Sequence, residues 1–215
     1  MLTRLVCLLI GYGCGLFQTG YFYGKKKEFD LRAHGSGNTG MTNALRTMGK
    51  KAGAVVFLGD VLKCILAMVI VWAIYRNISY LPIKLLELYA AFGAVIGHDF
   101  PFYLKFKGGK GMSCTAGLCI GIYPLIALPA AAVFLLPVIL TKYISLGSCL
   151  VSAAIPVISA VYIKTGIINL PPQSAAEFVA VTVIVGVINI VRHRANIKRL
   201  LSGTENKFHE SNREK

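Results

Sequence analysis

Four polar segments hold the residues whose types and spacing could do chemistry. The first runs Arg32-Ala33-His34-Gly35-Ser36-Gly37-Asn38-Thr39-Gly40-Met41-Thr42-Asn43-Ala44-Leu45-Arg46. Glycines let a backbone approach a ligand and turn successive N–H groups toward an anion. Ser36, Thr42 and Asn43 can donate further hydrogen bonds, with Gly37 and Asn38 lying between them. Arg46 can grip a phosphate through two parallel N–H bonds. A flexible polar loop with a helix cap at Thr42 or Asn43 is the plainer alternative. The arginine at its end favours phosphate or carboxylate binding.

The second segment is Gly97-His98-Asp99-Phe100-Pro101-Phe102-Tyr103-Leu104-Lys105-Phe106-Lys107-Gly108-Gly109-Lys110-Gly111. Lysines interleave with Gly108, Gly109 and Gly111 just before an apolar helix, the pattern of an anion nest beside a positive helix N-terminus. It is not a Walker A loop: Lys110 is followed by Gly111 where Ser or Thr is required. ATP hydrolysis is therefore unsupported. Attraction of the lysines to lipid headgroups is an alternative that does not need the glycines. His98 is a candidate base or an interfacial side chain.

The third segment, Thr141-Lys142-Tyr143-Ile144-Ser145-Leu146-Gly147-Ser148, reads as a tight turn. Ser145 could reach a ligand or cap the next helix. In the fourth, His193 and Asn196 are three apart and share a face if the last span continues as a helix. A basic stop-transfer flank explains Arg192, Arg194, Lys198 and Arg199, but not the His–Asn pair. Gly203 is a natural helix terminator.

One charged pair lies outside these segments. Asp60 and Lys63 sit three apart within an apolar run and so on one helical face. Charges at that depth are costly. They are read as a structural ion pair or as part of the site.

No Cys–His or Ser–His–Asp order, metal-ligand spacing or His-x4-Asp motif appears, so no metal and no cofactor is expected. This inventory suits a reaction that needs no strong protein nucleophile. Two anionic substrates would be held while charge is neutralised as a bond forms.

The elements that must position these groups are membrane helices. The 215 residues are 55% hydrophobic and 15% charged, too few for a water-soluble globule. The expected fold is all-α, a single membrane-embedded domain over 1–215, with 208–215 a flexible polar tail. Apolar runs cover 5–23, 52–75, 83–97, 146–162 and 176–191. The run 112–140 would be about 44 Å long as one helix. Tyr123-Pro124 is a plausible turn that divides it into two short spans. That gives seven transmembrane helices, N-terminus outside and C-terminus cytoplasmic.

Charge agrees with that orientation. The net charge is +14, and 18 of the 23 Lys and Arg residues fall in the four segments 24–51, 97–111, 141–147 and 192–215. Cytoplasmic loops are enriched in Lys and Arg. The charge thus points to membrane lipid and not to nucleic acid. The six cysteines lie in apolar stretches and read as small hydrophobes. A transporter of a phosphorylated metabolite would need polar groups along the spans, mostly absent apart from Asp60 and Lys63. A basic lipid-binding scaffold would not need the glycines.

Five segments resemble the bacterial acyl-phosphate:glycerol-3-phosphate acyltransferases of the PlsY type. They are HGSGNTGMTNALR, Asp60-Val-Leu-Lys63, GHDFPFYLKFKGGKG, TKYISLGS and HRANIKRLLSGTENK, in family order. Met41 stands where alanine is usual, which implies a packing adjustment. The resemblance implies transfer of a long-chain acyl group from acyl phosphate to the 1-hydroxyl of sn-glycerol 3-phosphate. The products would be lysophosphatidate and phosphate, in the first acylation of phospholipid synthesis. It implies a bacterial plasma membrane location with the site facing the cytoplasm, and a soluble enzyme that supplies the donor. By position, Ser36 and Arg46 would contact a substrate phosphate. Lys107 with Gly108, Gly109, Lys110 and Gly111 would cradle the other. Which loop takes which phosphate stays open. Ser145 would add a hydrogen bond to a phosphate. His193 and Asn196 would orient glycerol 3-phosphate or its attacking hydroxyl, and Glu205 would hold the tail motif in shape. The base is His98 or a substrate phosphate.

Overall fold

The computed structural model describes residues 1–208, which contain helices and no strand. They divide into two compact units, Met1–Ile122 and the described residues from Tyr123 onward.

In the first unit, α1 (Leu2–Gly15) and α2 (Thr19–Lys26) share the first apolar run. The uninterrupted span expected over 5–23 is broken at residues 16–18. The cause is Gln18, a fully buried amide whose Nε2 donates to the carbonyls of Gly15, Gly97 and His98. A buried amide must be satisfied, and here the helix yields to do it. A short helix α3 (Met41–Met48) precedes the 26-residue α4 (Lys50–Tyr75). Next come α5 (Ile83–Asp99) and α6 (Met112–Ile122).

The α1–α5 packing rests on small residues. Gly11 and Gly15 of α1 lie against the backbone of Ala90 and Ala94 of α5, and Gly93 and Gly97 of α5 lie against that of Leu8, Tyr12 and Gly15 of α1. A Cβ on Gly15 would run into the Ala94 carbonyl, and one on Gly93 into the Leu8 carbonyl. Helices in lipid gain little from burying apolar groups against each other, so close backbone approach matters more. On α4, Leu58, Leu62, Leu66 and Val69 are exposed along one side, the face a lipid-facing helix presents. α3 packs on α4 around Ala44, Ala52 and Val56, joined by Leu31 from the preceding loop, with Met41 and Met48 against that cluster. Met41 is therefore a packing residue.

The second unit holds α7 (Pro124–Thr141), α8 (Ile144–Lys164), α9 (Pro172–Arg192) and α10 (Arg194–Leu201). Pro124 and Pro172 stand in the first helical turn, where a missing N–H costs nothing. The long run 112–140 is divided at Tyr123, whose extended backbone separates α6 from α7. α8 packs on α7 and α9, with Gly147 against the Phe134 carbonyl and Gly186 against that of Ser152.

Of the seven expected crossings, five have helices long and apolar enough to span a membrane: 2–26, 50–75, 124–141, 144–164 and 172–192. α5, with 17 residues, and α6, with 11, are shorter. The expected polar tail lies outside the described residues apart from Phe208, whose N–H donates to the Lys142 carbonyl at 2.9 Å.

Candidate active site

Loop 27–40 of the first unit has little regular structure, so its polar backbone groups need local partners. Asn43 supplies them. Its Nδ2 lies within 2.9–3.0 Å of the carbonyls of Leu31, His34 and Asn38, and its Oδ1 accepts from Ser36 N–H at 2.9 Å. Asn43 is thus a buried staple turned into the loop, not a donor turned outward. The anticipated cap at Thr42 or Asn43 is also absent: α3 starts at Met41 with Gly40 as its N-cap. Gly35 and Gly37 take the left-handed conformations this fold requires, at φ +60° and +67°. The result leaves Ser36 and Gly37 exposed, with Arg46 half-buried in the last turn of α3.

Asn38 joins this loop to the next. Its Oδ1 accepts from Gly40 N–H at 2.8 Å, and its Nδ2 donates to the Gly108 carbonyl at 3.1 Å. Nearby, Asp30 and Arg32 form a 3.0 Å ion pair, and Arg32 lies over the Tyr21 ring. Hydrogen bonds from Arg32 hold the Asp30 carboxyl below the usual carboxylate range.

In loop 97–111, Gly108 and Gly109 do not turn their N–H groups outward as a simple nest would. They donate to the carbonyls of Asp99 and His98, at 3.2 and 3.0 Å. These bonds help satisfy carbonyls at the α5 C-terminus, which have no intrahelical partner. Both glycines are buried, while Lys105 and Lys107 are exposed and Lys110 is half-buried. Gly111, at φ +73°, turns the chain into α6.

Beneath this loop lies the Asp60–Lys63 pair, with N···O 2.8 Å and both side chains buried. Thr19 Oγ1 donates to Asp60 Oδ1 at 3.0 Å, and Thr39 Oγ1 donates to Gln18 Oε1 at 3.0 Å. His98 is also buried, with Nδ1 2.9 Å from Lys63 Nζ.

In the second unit the helix does not run on through His193. α9 stops at Arg192, and His193 forms the break before α10. His193 and Asn196 are nevertheless both buried. His193 Nδ1 donates to the Asn189 carbonyl at 2.8 Å, which leaves the neutral ring with its acceptor at Nε2. Ser145 Oγ donates to Glu205 Oε1 at 2.9 Å, Asn196 Nδ2 to the same oxygen at 2.7 Å, and Arg199 Nε to Oε2 at 2.7 Å. Burial pushes the Glu205 carboxyl up, but the hydrogen bonds from Asn196, Arg199 and Ser145 outweigh it and leave it below its ordinary value. Ser145 has one hydroxyl proton, and here it goes to Glu205. Gly203 ends α10 as expected, at φ +69°, with the Thr204 N–H returning to the Arg199 carbonyl.

A family model for glycerol-3-phosphate acyltransferase matches residues 5–203. The chain belongs to the glycerol-3-phosphate acyltransferase family. The resemblance carried by the five segments therefore holds, and the chain is an acyltransferase of phospholipid synthesis. It is 39% identical over 232 residues to the glycerol-3-phosphate acyltransferase of Chlorobium phaeobacteroides, covering 97% of each chain. It is 40% identical over 208 residues to that of Clostridioides difficile, covering 96% of each. Among solved structures it resembles PlsY (YgiH), an integral membrane glycerol 3-phosphate acyltransferase, in its glycerol 3-phosphate form. The TM-score is 0.79 at 30% identity, over 95% of this chain and 94% of that one. The lysophosphatidic acid form of PlsY gives a TM-score of 0.77 at 29% identity.

Sequence reasoning about this acyltransferase missed Gln18, Thr19 and Thr39. All three are buried polar residues that tie α1, α2, α4, α5 and the first loop together. The available signal was an amide and a hydroxyl side by side, Gln18-Thr19, inside an apolar run.

Proposed function

We propose that this protein transfers a long-chain acyl group from acyl phosphate to the 1-hydroxyl of sn-glycerol 3-phosphate. The hydroxyl oxygen attacks the acyl carbonyl carbon, and the bond from that carbon to the phosphate oxygen breaks. Phosphate leaves with the electron pair, and lysophosphatidate is the other product. An acyl phosphate is a mixed anhydride with a good leaving group, so the transfer needs no covalent acyl-enzyme. The hydroxyl proton goes to the departing phosphate: His98, the other candidate base, is buried with Nδ1 on the Lys63 ammonium and Nε2 against Gly109, so it has no nitrogen free to accept it.

The observation that carries this reading is the hydrogen bond from Asn38 to the Gly108 carbonyl. It joins the hydroxyl- and arginine-bearing loop to the lysine-bearing loop, so two anion-binding segments adjoin. Two substrates that each carry a phosphate need such a pairing. Ser36 and Arg46 contact one phosphate; Lys107, Lys110 and the N-terminus of α6 at Gly111 hold the other. His193 and Asn196 orient glycerol 3-phosphate or its attacking hydroxyl. Preorganised donors of this kind stabilise the charge that develops during transfer.

The chain crosses the membrane seven times in this reading: α1 with α2 as one crossing, then α4, α5, α6, α7, α8 and α9. The N-terminus lies outside and the C-terminus in the cytoplasm, as the distribution of Lys and Arg favours. The site then faces the cytoplasm of a bacterial plasma membrane. Glycerol 3-phosphate is water-soluble there, and a soluble enzyme can deliver acyl phosphate to the same side.

The test uses purified protein in detergent or lipid cubic phase with palmitoyl phosphate and glycerol 3-phosphate. Phosphate release and lysophosphatidate formation should rise together, with palmitoyl-CoA inactive as donor. Turnover with the thioester and none with acyl phosphate would overturn the donor assignment.

A further inference from the structure

The Lys63 ammonium is saturated. An ammonium has three N–H donors and no acceptor. Those of Lys63 reach Asp60 Oδ1 at 2.8 Å, the Phe17 carbonyl at 2.7 Å and His98 Nδ1 at 2.9 Å. The three partners belong to α4, to the break between α1 and α2, and to α5. The break at Gln18 is what leaves the Phe17 carbonyl available to accept. With its donors committed, Lys63 is not built to contact a substrate.

What Lys63 fixes is the His98 ring. Nδ1 faces a protonated amine and must accept, so the neutral ring carries its proton on Nε2. The Nε2 edge lies against Gly109. A Cβ placed on Gly109 would meet Nε2, Cε1 and Cδ2 of His98 before any other group. The main chain repeats the coupling: the His98 carbonyl accepts from Gly109 N–H and from Gln18 Nε2. The loop therefore rests on a ring whose orientation is set from inside the helix bundle.

We infer that Asp60 and Lys63 are positioning residues for the phosphate-binding loop 107–111, acting through the His98 imidazole. This rests on reading that loop as a substrate-phosphate site. Asp60 holds Lys63, Lys63 holds the ring, and the ring sets the height of Gly109 and thus of Lys110. A misplacement of about 1 Å in such a site can cost about a hundredfold.

The test is steady-state kinetics of purified full-length protein in lipid cubic phase, varying palmitoyl phosphate and glycerol 3-phosphate separately. Replacing the pair together, Asp60→Asn with Lys63→Met, avoids leaving one buried charge unpaired. The double variant should raise KM for one phosphate substrate at least about tenfold and leave the other KM and kcat within about twofold. Lys110→Ala should raise the same KM. The two combined should lose less than the product of the separate effects, because a displaced loop has little left to lose. Purely multiplicative losses, or equal changes for both substrates together with lower thermal stability, would overturn the inference. If Lys110→Ala alone changes neither KM, the phosphate-loop reading fails and the inference falls with it.

Gly109→Ala tests the same contact with the ion pair intact, and decides the matter if the double variant does not fold. It should raise the same KM. Wild-type KM values in Gly109→Ala would show that the ring–loop contact positions nothing.

Discussion

Asn196 Nδ2 donates to Glu205 Oε1 at 2.7 Å, across a turn in which α10 ends and the chain doubles back. Glu205 also holds Ser145 and Arg199, so one carboxylate ties the start of α8, α10 and the returning chain into one corner. Glu205→Ala should therefore destabilise the second unit by about 2–3 kcal/mol, since hydrogen bonds to a buried charge are lost and their donors left unpaired. The drop should appear in thermal unfolding in detergent. Activity should fall with it, because Ser145 and Asn196 lose their common anchor.

The same carboxylate makes this corner pH-sensitive. The folded-state pKa of Glu205 is lowered, so its contribution is present above the unfolded value near 4.5 and is lost as pH falls through the folded value. The difference in melting temperature between wild type and Glu205→Gln should be full at pH 7 and shrink below about pH 4.5. A difference that widened on acidification would contradict the sign of the shift.

Much of this arrangement was legible before any coordinates. The break at Tyr123-Pro124 followed from proline's missing N–H, and the Asp60–Lys63 contact from a spacing of three. The break at Gln18 did not, because hydropathy averages over one buried amide in an apolar run. The roles of Asn43 and Asn38 were also hidden. A polar side chain in a glycine-rich loop reads as ligand-facing or loop-facing with equal ease, and only the fold shows which carbonyls lie within reach. Gly108 and Gly109 have the same ambiguity: glycine marks a close approach, but the sequence does not say of what. Here it is the end of α5.

Asn43→Asp isolates the staple role. It keeps the size and an acceptor for Ser36 N–H but replaces the amide donor to the carbonyls of Leu31, His34 and Asn38. The loss should be about 1–3 kcal/mol. Limited proteolysis between residues 31 and 40 should quicken, while the helices stay intact by circular dichroism. Ser36→Ala, at an exposed position, should lower activity without raising cleavage.

Arg46 can be separated from the loop it follows. Arg46→Ala should lower kcat/KM by about tenfold to over a hundredfold, the loss of one charge-assisted contact of about 1.5–3 kcal/mol. The melting temperature should stay close to wild type, because the side chain is half-buried at the end of α3 and not in the core. Near-normal kcat/KM in a folded variant would remove Arg46 from the phosphate site.

Two glycines one turn-half apart on α1 give a matched pair for the packing argument. Gly11 faces α5, and a Cβ there would collide with the Ala90 carbonyl, a backbone atom that has no rotamer to retreat into. Gly13, on the other side, has nothing within 4 Å. Gly13→Ala should be neutral or stabilising by up to about 1 kcal/mol, since alanine is the better helix former. Gly11→Ala should cost about 1–3 kcal/mol or more, as overpacking pushes α1 from α5. That displacement would shift the Gly15 carbonyl away from Gln18 Nε2, and with it the Phe17 carbonyl that accepts from Lys63. Activity in Gly11→Ala should consequently fall further than the folded fraction alone accounts for, read by comparing turnover with the melting curve at the assay temperature. Equal behaviour of the two alanine variants would mean that α1 and α5 are not held at backbone contact.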